Sequence, residues 1–111
     1  MGVYDSATKL ANEIKNSQEY ISFQKSMKDI KSDSKSEKLL RDYKMIQLEL
    51  QRCRTNNEKI DSNIIKNIDS IEKRVKNNKK VNNYLKYEKI FMDMMADINI
   101  ILSNMVENDY K

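Results

Sequence analysis

Two acidic side chains near the end of the sequence have a spacing that could support chemistry. Asp93 and Asp97 lie four residues apart, so a helix would place their carboxylates on one face, where they could hold a cation or exchange protons. A nucleophile would also need a neighbouring base, and histidine, the usual base, does not occur. Acids at this spacing more often belong to a solvated face. We therefore predict a protein that is not an enzyme and that has no metal or cofactor.

Other features of the sequence restrict the possible sites further. The only glycine is Gly2, so a glycine-rich loop that could surround a phosphate is excluded. Cys53 is the only cysteine, so no intrachain disulfide can form, and we expect it to be a small buried apolar residue. The sequence contains no apolar run long enough for a membrane span and no signal peptide at its start, so we expect a cytoplasmic protein that is not associated with membranes.

Glu88 is unusual because it occupies an apolar position of a predicted helix, between Tyr84 and Phe91. Burying this carboxylate without a partner would cost several kcal/mol. We therefore expect it to meet the hydroxyl of Tyr43 or a lysine of a neighbouring helix or second copy. It could hold a ligand, but we favour a structural role at the edge of the bundle or in fixing the helix register.

A basic segment precedes the acidic end of the chain, which has a formal net charge of +4. Cations at the end of the predicted fourth helix suit its dipole, whereas Lys79 and Lys80 oppose the dipole of the next helix. An anionic partner, either RNA or an acidic protein surface, would explain them, but no RNA-binding motif is present and we favour a solvated face. The candidate cations are Lys73, Arg74, Lys76, Lys79, Lys80, Lys86 and Lys89.

The composition indicates which elements must position these residues. The 111 residues include no proline and one glycine, and 34% are charged, which favours helices over hairpins and barrels. We predict a single all-α domain over residues 1–111, an antiparallel bundle of about five helices. The helices are expected from Asp5 or Ser6 to Asn16, from Ser17 to Lys31, from Lys35 to Arg54, from Ile60 to Lys76, and from Val81 to Val106.

The last predicted helix is apolar around much of its circumference. One side carries a continuous seam with alternating spacings of three and four residues, and Met92 lies beside it. Because this apolar surface exceeds the stripe of an ordinary surface helix, we predict that the long C-terminal helices pair in a homodimer. Its methionines could instead form an adaptable docking surface, although we favour dimer core. The seam comprises Val81, Tyr84, Glu88, Phe91, Met95, Ile98, Leu102 and Met105.

Several short motifs in order along the chain resemble the YlbF/YmcA family of small bacterial helical proteins, and in particular its short YheA-like branch. The resemblance extends over nearly the whole chain. It rests on a Ser-x-Glu-Tyr motif, a polar turn with an aspartate, an aromatic residue followed by glutamine, and a Tyr-Leu-x-x-Glu motif before an apolar run. The matching residues are Ser17, Glu19, Tyr20, Asp33, Tyr43, Gln47, Tyr84, Leu85 and Glu88.

The resemblance implies an all-α, dimerising protein of the cytoplasm of Gram-positive bacteria. Some members of the family act in a complex that modulates an RNA-cleaving enzyme and thereby affects competence, sporulation and biofilm formation. Those members have a cysteine-rich tail linked to an iron-sulfur cluster, and we expect no cluster here because the sequence to Lys111 lacks such a tail. Our first hypothesis is a homodimeric interaction or regulatory protein with a protein partner, and our second is an RNA-binding accessory protein.

Overall fold

The computed structural model describes residues 2–110, which form five α-helices and no β-strand. The all-α prediction is therefore confirmed for this part of the chain. Within the same residues no helix is both long and apolar enough to cross a membrane. The helices are α1 (Val3–Lys15), α2 (Gln18–Lys31), α3 (Ser34–Thr55), α4 (Ser62–Lys76) and α5 (Lys79–Tyr110).

The chain divides into two compact units, and the division falls inside α2 and inside α5. The hairpin unit is Met27–Tyr84, which contains α3 and α4. The terminal unit comprises residues 2–26 and 85–110, which contain α1, the first part of α2 and most of α5.

Helices α3 and α4 of the hairpin unit pack against each other as an antiparallel pair. The side chain of Ser36, near the start of α3, is hydrogen-bonded to that of Asn78, just beyond the end of α4. The loop of residues 56–61 joins the opposite ends of the two helices. Burial of apolar side chains stabilises this pair. The buried apolar residues of the unit are Ile30, Leu39, Cys53, Ile71, Val75 and Val81.

The loop between α3 and α4 explains why α4 begins later than predicted. Asn57 has a φ of 55°, a left-handed conformation that asparagine tolerates better than most residues. The Asp61 side chain then accepts a hydrogen bond of 3.1 Å from the backbone N–H of Asn63 and caps α4. Ile60, which we expected inside the helix, therefore precedes it and is 40% exposed.

The start of α1, by contrast, was predicted too late. The helix begins at Val3 rather than at Asp5 or Ser6, because the backbone N–H of Ser6 donates to the carbonyl of Gly2 at 3.0 Å. The predicted cap of α2 is present, since the Ser17 hydroxyl accepts a hydrogen bond of 3.2 Å from the backbone N–H of Tyr20. Helix boundaries thus differ from the predictions where a backbone carbonyl or an unexpected aspartate provides the cap.

The terminal unit is held by aromatic contacts between α2 and α5. The ring centroid of Phe91 lies 5.4 Å from that of Tyr20 and 5.4 Å from that of Phe23. These distances are typical of favourable aromatic pairs. By contrast, no residue of α1 is buried. Helix α5 has 32 residues, so it is about 48 Å long. It extends at both ends beyond the predicted range of 81–106.

Candidate functional site

Four polar side chains join the start of α3 to the turn between α4 and α5. Asp33 caps α3 and accepts a hydrogen bond of 2.7 Å from the Ser36 hydroxyl. The Asn78 amide donates to Ser36 Oγ at 3.0 Å, while Asn78 Oδ1 accepts from the backbone N–H of Val81 at 3.0 Å and caps α5. Lys80 Nζ lies 3.7 Å from Asp33 Oδ2. We call Asp33, Ser36, Asn78 and Lys80 the polar junction.

The polar junction stabilises the charged form of Asp33. The Ser36 hydroxyl, followed by the charge of Lys80 and by the backbone N–H groups of Lys35 and Ser36, holds the pKa of the Asp33 carboxyl below its ordinary value. Hydrogen bonds to a carboxylate favour its ionised form, as does a nearby cation. The junction therefore provides Lys80 with an anion inside the same chain, so the position of Lys80 at a helix N-terminus does not require an external partner.

A basic cleft lies beside the polar junction, between the start of α3 and the end of α4. Its cations are Lys35 and Lys38 from α3 and Arg74 from α4. The volume of the cleft is about 400 Å³. Arg74 was predicted from the sequence as a candidate cation, whereas both lysines were missed, because they become its neighbours only when the hairpin forms. The lining residues, which we call the basic cleft, are Lys35, Lys38, Leu39, Asp42, Arg74, Asn77 and Asn78.

The cations predicted as one surface are distributed between both units. Lys73, Arg74, Lys76, Lys79 and Lys80 belong to the hairpin unit, whereas Lys86 and Lys89 belong to the terminal unit. Lys73 and Lys76 line a separate groove of about 250 Å³ together with Asp69 and Glu72.

The two candidate cations in the terminal unit, Lys86 and Lys89, have neighbours within their own helix. Lys86 Nζ lies 5.3 Å from the ring centroid of Tyr87, and Lys89 Nζ lies 3.0 Å from Asp93 Oδ2. Asp93, one of the two carboxylates first considered for chemistry, is thus part of an exposed ion pair, while Asp97 is exposed. In residues 2–110 no three histidine, cysteine or acidic side chains are grouped so that they could hold a metal ion.

The seam of α5 passes from buried to exposed along the helix. Val81 is completely buried, whereas Leu102 is 57% exposed and Met105 is 66% exposed. Met92, beside the seam, is 53% exposed. The seam residues between these ends are half-buried, and they are Tyr84, Glu88, Phe91, Met95 and Ile98.

The apolar surface of the last part of α5 continues beside the seam. Ile101 is 69% exposed and Val106 is 61% exposed, and Ile100 is also exposed. We call Ile101, Leu102, Met105 and Val106 the apolar end of α5. The seam therefore contributes to packing within the chain at its start and presents apolar side chains at its end.

Solved structures with the same fold are known. A protein of unknown function (DUF964) from Bacillus stearothermophilus has a TM-score of 0.77 and 17% identity, over 97% of this chain and 95% of that chain. The structure of Bacillus subtilis RicA in complex with RicF matches with a TM-score of 0.65 and 16% identity, over 97% of this chain and 96% of that chain. At these identities the similarity establishes the fold.

Sequence relatives match over almost their full length. A UPF0342 protein of Caldicellulosiruptor saccharolyticus is 30% identical over 95% of this chain and 88% of its own length. A UPF0342 protein of Clostridium tetani is 29% identical over 98% of this chain and 94% of its own length. The family model described as "Control of competence regulator ComK, YlbF/YmcA" matches residues 3–107. The motifs, the five helices and this match agree, and the chain belongs to the YlbF/YmcA family.

Proposed function

We propose that this protein is a non-enzymatic regulatory protein that acts by assembling with other helical proteins, and that it forms a homodimer through the apolar end of α5. The observation that carries the proposal is the exposure of Ile101, Leu102, Met105 and Val106 on a continuous helix. Large contiguous apolar surfaces on a folded protein commonly mark sites of protein association. Helix pairing would remove these side chains from water without any change in the fold.

The spacing of the seam supports pairing between two antiparallel copies of α5. The intervals between Met95, Ile98, Leu102 and Met105 are three, four and three residues, which read the same in either direction. In an antiparallel pair, Met95 would lie opposite Met105 and Ile98 opposite Leu102. Each copy would thus supply the same set of contacts, as a two-fold symmetric interface requires.

The properties of relatives support a regulatory role. Bacillus subtilis RicA, which shares the fold, was solved in complex with RicF, and the family description refers to control of the competence regulator ComK. We infer a related role in the cytoplasm, in control of competence, RNA processing, sporulation or biofilm formation, with a protein partner. The alignment with this short chain covers 88% of the length of one relative and 94% of the other. The relatives are therefore also short, which supports placement in the YheA-like branch.

Sedimentation velocity of a variant at the apolar end of α5 tests the homodimer. We expect the parent protein to sediment as a dimer at micromolar concentration, and Leu102→Glu combined with Met105→Glu to give a folded monomer. Both side chains are exposed, so their replacement should change the stability of the monomer by less than about 1 kcal/mol while introducing charge into the dimer contact.

A matched control is available on α3, where Met45 is 65% exposed and Leu48 is 66% exposed. Met45→Glu combined with Leu48→Glu makes the same chemical change in the hairpin unit, and this variant should remain a dimer. A monomeric parent protein, or equal dissociation of both double variants, would contradict pairing through α5.

The RNA-binding alternative has less support from the geometry. Three of its seven candidate cations have neighbours inside the chain: Lys80 pairs with Asp33, Lys89 pairs with Asp93, and Lys86 lies over Tyr87. Gel-shift titration at two salt concentrations distinguishes the two functions, because phosphate contacts give binding that weakens steeply with salt.

A further inference from the structure

We propose that the basic cleft binds a small phosphate compound with at least two negative charges, of about the size of a nucleotide. The site is formed by Lys35 and Lys38 of α3 and Arg74 of α4. All of these residues belong to the hairpin unit, so the inference does not depend on pairing through α5.

The cations of the cleft differ in their surroundings from three other basic residues of the chain, which have ion pairs. Lys80, Lys89 and Arg52 each lie within 4 Å of a carboxylate, at 3.7, 3.0 and 3.7 Å. Within residues 2–110, neither Lys35, Lys38 nor Arg74 has such an ion pair, and all three are exposed. Their charges are therefore available to an external anion.

The balance of charge in the cleft favours a polyvalent anion. Three cations face one carboxylate, that of Asp42, which leaves two uncompensated positive charges. Arg74 can donate two parallel hydrogen bonds to a phosphate, and lysine ammonium groups bind phosphate as point charges. Asn77, at the end of α4, adds an amide that can donate or accept a hydrogen bond.

The shape and lining of the cleft favour a small compound over RNA. Its volume of about 400 Å³ lies in the usual range for small-molecule sites. Leu39 contributes a buried apolar side chain, against which a sugar or base could pack. Among residues 2–110, no aromatic side chain lines the cleft, so these residues do not provide the stacking platform that single-stranded RNA commonly uses.

Isothermal titration calorimetry of the full chain with ADP tests the inference. We expect ADP to bind with sub-millimolar affinity at low salt, and Lys38→Gln combined with Arg74→Gln to weaken binding by roughly tenfold or more, since two charged hydrogen-bond donors are lost. Asp42→Asn should instead strengthen binding, because it removes the one negative charge of the cleft. A variant that merely perturbed the fold would not improve affinity, so this opposite effect separates a direct role from a structural one.

The matched control is Lys59→Gln combined with Lys66→Gln, which removes the same net charge at exposed positions outside the cleft. It should bind ADP like the parent protein. Absence of ADP binding by the parent protein, or equal weakening in the control, would overturn the proposal. So would binding of a single-stranded RNA that requires Lys38 and Arg74 while ADP does not bind, since the cleft would then recognise a polymer backbone.

Discussion

At the scale of single residues, the polar junction combines local capping with contacts between distant parts of the chain. Asp33 caps α3 and Asn78 caps α5, and both roles are local. Ser36 connects the two caps by a hydrogen bond to each. Ser36 is only 1% exposed, and in the described part of the chain no buried side-chain polar atom lacks a hydrogen-bond partner. The turn between α4 and α5 is thereby fixed to the start of α3.

The charge of Asp33 should make stability depend on pH in the acid range. Its folded-state pKa is lowered from 3.8, so the unfolded chain binds more protons than the folded chain in that range. The stabilisation is present above the unfolded pKa and is lost as the pH falls through the folded value. Asp33→Asn should therefore have a melting temperature that falls less steeply than that of the parent protein below pH about 4.

Thermal melts followed by circular dichroism between about pH 2.5 and 7 measure this effect. Asp29→Asn is a matched control, because Asp29 is exposed on α2 and its carboxylate has no ion pair among residues 2–110. The control should keep the acid dependence of the parent protein. An unchanged acid dependence in Asp33→Asn would show that the junction does not stabilise the ionised carboxylate.

At the scale of elements, α5 has two parts with different environments. Val81 near its start is fully buried, whereas Val106 near its end is 61% exposed. Within α5, valine therefore occurs once in the buried interior of the hairpin unit and once on an exposed apolar surface.

Replacing each valine by alanine should separate these two environments. Val81→Ala should lower the free energy of unfolding by about 2–3 kcal/mol, because it removes buried methyl groups and leaves a cavity. Val106→Ala should change the stability of the isolated monomer by less than about 0.5 kcal/mol. Urea denaturation in the Leu102→Glu and Met105→Glu background measures both values. Similar losses for the two substitutions would contradict the burial difference.

Much of this element-level structure could be predicted from the sequence, because helical periodicity and capping are local properties. The five helices and the Ser17 cap follow from such patterns. The cleft residues Lys35 and Lys38 could not be identified in the same way, since their proximity to Arg74 depends on how α3 and α4 pack. The ion pair of Lys80 could not be predicted for the same reason, since its carboxylate partner Asp33 lies two helices earlier in the chain. The sequence signal for the cleft and for this ion pair was the short loop between α3 and α4, because it brings the start of α3 next to the end of α4.

At the scale of the whole molecule, the two compact units offer different surfaces. The hairpin unit has a buried apolar interior and the basic cleft, while the terminal unit has an α1 helix without any buried residue and the apolar end of α5. A protein with this distribution can bind a small anion through one unit and associate through the other. The two proposals can therefore be tested independently.

Association through α5 should make the melting temperature depend on protein concentration. Mass action stabilises a dimer by about 1.4 kcal/mol for each tenfold rise in concentration, which corresponds to roughly 3–6 °C for a dimer of this size. Differential scanning calorimetry over a hundredfold concentration range measures the shift. The Leu102→Glu and Met105→Glu double variant should melt at a constant temperature, and a constant value in the parent protein would argue against the dimer.

The position of Cys53 gives the hairpin unit an internal reporter. Cys53 is 3% exposed near the end of α3, and its backbone carbonyl accepts a hydrogen bond of 2.9 Å from the N–H of Glu58 in the following loop. Because the sequence has no other cysteine, the rate at which a thiol reagent labels the native protein records how often the hairpin unit opens around Cys53. Opening of the hairpin can thus be timed separately from any event at the far end of α5.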